Sequence, residues 1–161
     1  MTRIIATFGG VGLLRPAPGT WGSLVALGLG ILIHMAGGFL ALLLCSIAVT
    51  VIGYWAVAQE IGDSKEDPSE FVIDEVAGQW VALWPVSLGA AMTGSSILAL
   101  YPGLIVAFLA FRALDILKPG PIGWADRQPG ALGIMADDVI AGWLAAMIVA
   151  LAAVLGHLVL L

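Results

Sequence analysis

Apolar residues in this chain do not alternate with polar ones; they run unbroken between short islands of charge. Pro16 through Gln59 form 44 residues without a charge, Val76 through Phe111 form 36, and Val139 through Leu161 form 23. A helix needs roughly 20 apolar residues to cross a bilayer. The first run therefore holds two helices, near Trp21–Met35 and Phe39–Ile61, with Gly37 and Gly38 as the hinge. The earlier of the two is short for a full span, which leaves tilting or re-entrant insertion open. The second run is broken by Thr93-Gly94-Ser95-Ser96 and by Tyr101-Pro102-Gly103, and predicts helices near Asp74–Leu88 and Gly103–Leu117. The third run predicts one long helix to the C-terminus, for about five helices in all.

Composition turns this pattern into a membrane protein. The chain has 161 residues, 61% hydrophobic and 11% charged, against about 25% charged in soluble domains. Lipid must cover much of such a surface, and in lipid the backbone satisfies its own hydrogen bonds in helices. The expectation is an all-α, multi-pass bundle forming one membrane-embedded domain over 1–161. Gly28, Gly30 and Gly142 are candidates for close helix contact. The net charge of −5 and the lack of a basic patch exclude a nucleic-acid partner. Cys45 is alone in an apolar run, so neither a disulfide nor a Cys-based metal site is expected. No removable signal peptide is evident.

The helix count sets the topology. Two hairpins bring the N-terminal segment, the 62–75 loop and the 112–138 loop to one face. All six basic residues (Arg3, Arg15, Lys65, Arg112, Lys118, Arg127) and all eleven acids fall there; the turns around Gly37 and Gly94 carry no charge. The positive-inside rule makes that face cytoplasmic and puts the C-terminus outside.

Four segments on that face carry candidate chemistry. In Arg15-Pro16-Ala17-Pro18-Gly19-Thr20-Trp21-Gly22-Ser23, Thr20 suits an N-cap, and the free amides of a helix start suit either a plain turn or a phosphate. Asp74-Glu75 precedes an apolar helix, which fits dipole complementation or a hard-cation site such as Mg²⁺. Arg112, Asp115 and Lys118 recur at i, i+3 and i+6, an ion-paired interfacial stripe or a phosphate clamp with a metal-binding acid. Asp137-Asp138 opens the last helix as a second acidic pair. Two like-charged pairs on one face repel unless compensated, and a divalent cation is the economical compensator.

Other residues read as structural. His34 and His157 belong near the opposite face, too far to assist the acids. Trp21, Trp55, Trp80, Trp84, Trp124, Trp143 and Tyr101 read as interface or core aromatics. Ser23 and Ser87 have no adjacent base, so a serine hydrolase has no support.

Taken in order, PAPGTWGS at 16–23, VIDEVAGQ at 72–79, FRALDILKPGPI at 111–122 and GIMADDVIAG at 133–142 resemble the phosphatidylglycerophosphatase A family. The resemblance implies an all-α fold, a Mg²⁺ cofactor and hydrolysis of the terminal phosphate of phosphatidylglycerophosphate, a lipid partner in the bacterial cytoplasmic (inner) membrane. Family members often carry an aromatic after the Lys-Pro pair; here Gly120 stands there and no candidate ligand is lost. On this reading Asp74, Glu75, Asp137 and Asp138 hold the metal, and Asp115 is a further ligand or the base. Arg112 and Lys118 neutralise the phosphoryl oxygens, and Thr20, Gly22 and Ser23 bind phosphate. An ion or proton transporter is the alternative, since carboxylates at membrane level often mark ion paths; such sites usually lie near the midplane. A CDP-alcohol phosphotransferase lacks support because its long acidic signature is absent, and a structural subunit would tolerate alanine at all four paired acids.

Overall fold

The computed structural model describes residues 1–62 and 68–160; the polar loop expected at 62–68 therefore lies almost wholly outside the described residues. Regular structure among the described residues is helical: α1 (Thr2–Ala6), α2 (Pro18–Ile61), α3 (Ile73–Ala82), α4 (Trp84–Thr93), α5 (Tyr101–Leu117), α6 (Pro121–Asp126) and α7 (Ala131–Leu160), with 3₁₀ turns at Val11–Leu13 and Ile97–Leu100. Three stretches are long and apolar enough to cross a membrane: Pro18–Ile61, Ile97–Leu117 and Ala131–Leu158.

The hinge expected at Gly37-Gly38 is present. Gly38 adopts φ 69°, ψ −162° within α2, a region open essentially to glycine alone. The two arms then run antiparallel. Gly22 and Gly53 both pack at the start of α3, against Val72 and Ile73. Further along, Gly30 packs on Trp80 and Leu83, while Ser46 accepts the Trp84 indole N–H at 3.1 Å. The first arm starts at Pro18, three residues before the expected Trp21.

The single helix expected at Asp74–Leu88 is two. α3 and α4 meet at Leu83, where Pro85 enters the first turn of α4; a proline is tolerated there because its missing N–H is not needed. α3 is the axis of the molecule, with Val76, Ala77, Gly78, Gln79, Trp80, Val81 and Ala82 all buried. Around it the fold is lined by small residues, including Ala26, Ala56, Ala107, Ala141 and Ala145, and it turns Leu32, Leu44, Val51, Leu109 and Leu151 outward. That inversion suits lipid, where helix contact rests on close packing of small residues. Among the glycines expected to allow it, Gly30 and Gly142 do so: a Cβ on Gly142 would strike the Gly78 backbone. Gly28 faces open space.

The last helix begins at Ala131, not at the acidic pair. Residues 131–136 continue the apolar pattern and bury Ala131 and Met135 against Phe71 and Ile73. α5 likewise starts at Tyr101, two residues before the expected Gly103. The short α1 packs beside the chain entering α3, where Ala6 O accepts the Val72 amide at 2.9 Å.

A candidate phosphate and metal site at the charged end

The start of α2, the start of α3, the end of α5 and the second turn of α7 meet at one end of the bundle. They form a pocket of about 220 Å³ lined by Gly19, Asp74, Glu75, Arg112, Asp115, Lys118, Asp137 and Asp138, together with Pro18, Ser69 and Phe71. Both acidic pairs therefore reach one site.

Asp74, Glu75 and Asp138 each bring a carboxylate oxygen to within 4.8 Å of the others, a spacing that could hold one metal ion. Asp74 and Asp138 are buried. Backbone amides compensate part of the charge: Asp74 accepts the Glu75 N–H at 3.0 Å and Asp137 accepts the Asp138 N–H at 2.9 Å. Asp115 comes within hydrogen-bonding reach of Asp138. Two carboxylates that close need a proton or a cation between them. Glu75 Oε2 is buried and has no hydrogen-bond partner. Hard oxygen donors, like charges crowded together and an unsatisfied buried oxygen all fit a divalent cation such as Mg²⁺.

Arg112 and Lys118 are the cations among the described residues lining the pocket, and Arg112 lies nearer the acidic helix start. It pairs with Asp115 one turn on, lies 3.9 Å from Glu75 and donates to Ser23 Oγ at 3.3 Å. Gly19 admits this arrangement, because a Cβ there would overlap the Glu75 carboxylate. Lys118 departs from the expected helical stripe. It caps α5 in the left-handed region, φ 44°, ψ 51°, and turns its ammonium toward Asp126 and toward Asp137 Oδ2 at 2.7 Å. Burial works against the charged form of Lys118, but the hydrogen bonds and charges of Asp126 and Asp137 outweigh it and hold its pKa above the ordinary lysine value.

The glycine-threonine segment differs most from expectation. The helix starts at Pro18 with Ala17 at its N-cap and no side-chain cap, so Thr20 sits inside the first turn. Neither Thr20 nor Gly22 lines the pocket; Gly22 instead admits Val72 between helices. Ser23 is fully buried and acts on the site through Arg112. Sequence reasoning missed Ser69 and Phe71, which directly precede the acidic helix, and Asp126, an isolated acid whose spacing carries no signal. At the far end His34 Nδ1 lies 2.7 Å from Ser87 Oγ, so Ser87 does have a neighbouring base, brought to it by the fold from 53 residues away in sequence; the pair is remote from the acids.

The fold and site define a membrane-helical protein with an acidic, arginine-flanked pocket at one end of its apolar bundle. The family described as phosphatidylglycerophosphatase A matches residues 4–153. The chain is 33% identical over 149 residues to phosphatidylglycerophosphatase A of Haemophilus influenzae, covering 91% of this chain and 85% of that one. The Escherichia coli protein of the same name is also 33% identical, covering 89% and 78%. A Bacteroides thetaiotaomicron protein with the provisional name phosphatidylinositol-3-phosphatase is 34% identical, covering 92% and 91%. No solved structure matches the chain significantly. The chain belongs to the phosphatidylglycerophosphatase A family.

Proposed function

We propose that this protein hydrolyses the terminal phosphate of phosphatidylglycerophosphate to give phosphatidylglycerol, with Mg²⁺, at the cytoplasmic face of the bacterial inner membrane. The observation that carries the reading is the meeting of both acidic pairs with Arg112 in one pocket at the end of an apolar bundle. A lipid phosphate needs that combination: a wet, charged rim for the headgroup and lipid-facing helices beside the acyl chains.

Asp74, Glu75 and Asp138 would hold the cation, with Asp137 supporting them while tied to Lys118. When bound, Mg²⁺ supplies charge neutralisation at the phosphoryl oxygens and orientation of water. Arg112 takes the remaining phosphoryl oxygens, its plane set by Ser23 and Asp115. Asp115 accepts the proton of the attacking water. The water oxygen bonds to phosphorus, the bond from phosphorus to the glycerol oxygen breaks, and that oxygen takes up a proton on leaving. Lys118, pinned between two carboxylates, serves mainly to fix α6 and α7 beside the pocket.

The transport alternative is disfavoured by position, because the described acids gather at one end of the bundle and not at mid-depth. Phosphate release from lipid in mixed micelles, with EDTA and with a metal series, tests the proposal. Release should need the metal and collapse in Asp138→Ala; release that survives both chelation and that substitution contradicts it. Running phosphatidylinositol-3-phosphate beside phosphatidylglycerophosphate separates the two headgroups that the relatives' names raise.

A further inference from the structure

Among the described residues, four buried side-chain polar atoms have no hydrogen-bond partner: Glu75 Oε2, Gln79 Nε2, Gln79 Oε1 and Arg112 Nε. They belong to three residues and are complementary, two donors and two acceptors. Gln79 is fully buried and lies outside the pocket wall. It follows Glu75 by four residues on α3, which puts both side chains on one helix face, with Gln79 a turn deeper in the bundle. Arg112 reaches Glu75 from α5, with Nη1 3.9 Å from Oε1. A buried amide with neither end paired is costly, and an apolar side chain of the same size would avoid that cost. Its presence beneath the site therefore calls for a role that leucine cannot fill.

We propose that Gln79 is a positioning residue bridging Glu75 and Arg112: its NH₂ group donates toward Glu75 Oε2 and its carbonyl accepts from Arg112 Nε–H, each through a buried water. The bridge holds the Glu75 carboxylate in one orientation toward the acidic cluster. It also holds the guanidinium by its inner edge, leaving Nη1 and Nη2 for phosphate. This rests on reading the pocket as a metal-assisted phosphate site, and it adds a residue that touches neither metal nor substrate.

The test uses the full chain in detergent with Gln79→Leu and Gln79→Met. Phosphate release gives kcat and KM, and paramagnetic resonance with Mn²⁺ gives cation affinity. Both variants should lose about tenfold or more in kcat and bind Mn²⁺ several-fold more weakly, as expected for a partner that orients a ligand. KM should stay nearly constant, and metal-free melting temperatures should fall below wild type, because losing the bridge strands the buried Glu75 Oε2 and Arg112 Nε. A filler glutamine would move neither kcat nor Mn²⁺ affinity, and that result overturns the proposal. A metal-free thermal cycle of Gln79→Leu with Arg112→Lys gives a second criterion: the bridge requires non-additive melting shifts, and additivity overturns it. If wild type binds no Mn²⁺ and works in EDTA, the metal reading fails, and the thermal cycle alone decides the bridge.

Discussion

The two acidic pairs look alike as letters and differ as structure. Asp74-Glu75 lies in the first turn of α3, where unsatisfied amides and the helix dipole favour negative charge. Asp137-Asp138 lies in the second turn of α7, after helix from Ala131 has already formed. No helix end compensates the second pair. Asp137 is instead held by Lys118, while Asp138 is buried beside Asp115 and Asp74. The helix start explains part of the first pair, although Glu75 Oε2 is left unpartnered. The second pair has no such help, and it is the stronger pointer to a cation.

That contrast sets the order of expected effects. Asp138→Ala should be the most damaging to turnover, by about a thousandfold, since it removes a charge that preorganised catalysis depends on. The same substitution should raise the melting temperature in EDTA, because it relieves like-charge crowding. A fall in melting temperature there would mean that Asp138 is compensated in the metal-free protein, and the contrast would break. Arg112→Ala should follow. It removes the proposed phosphate contact and strands Asp115 and Glu75, costing about 3–5 kcal/mol of stability as broken buried pairs do, measured by thermal unfolding.

Asp137→Asn should cost less turnover than Asp138→Ala, about tenfold, the range of a supporting partner that does not bind the metal itself. Equal losses at 137 and 138 would show that the members of the pair are equivalent. Lys118→Met should lower stability by only about 0–1 kcal/mol, since that pair is partly exposed. Because its folded pKa is raised, the Lys118 contribution is fully present below the unfolded lysine value of about 10.4 and is lost as pH climbs above it. Gly38→Ala, at the uncharged end, should cost about 1–3 kcal/mol through its backbone conformation while leaving kcat per folded molecule unchanged.

Much of this arrangement was legible before any coordinates. Charge-free runs and the Gly37-Gly38 break predict the α2 hairpin, because desolvated length is read directly from composition. The grouping of Asp74, Glu75, Arg112, Asp115, Lys118, Asp137 and Asp138 at one end follows from helix count alone. What was not legible depends on local geometry. Asp137 and Asp138 were expected at a helix start because charge was taken to mark the end of the helix, yet apolar residues 131–136 carry it six residues further back. Thr20 was expected as a cap, but Pro18 starts the helix first. Lys118 left its stripe because one left-handed residue redirects the side chain. Gln79 carries no signal of its own in the sequence, and only burial without partners sets it apart.

The proposed cation site draws ligands from both pairs, Asp74 and Glu75 from one and Asp138 from the other. Mn²⁺ binding to the purified protein, followed by paramagnetic resonance for wild type, Asp74→Ala and Asp138→Ala, tests it most directly. One class of bound ion is expected, lost or weakened by more than about tenfold in either variant. Wild-type affinity retained in Asp138→Ala would contradict it.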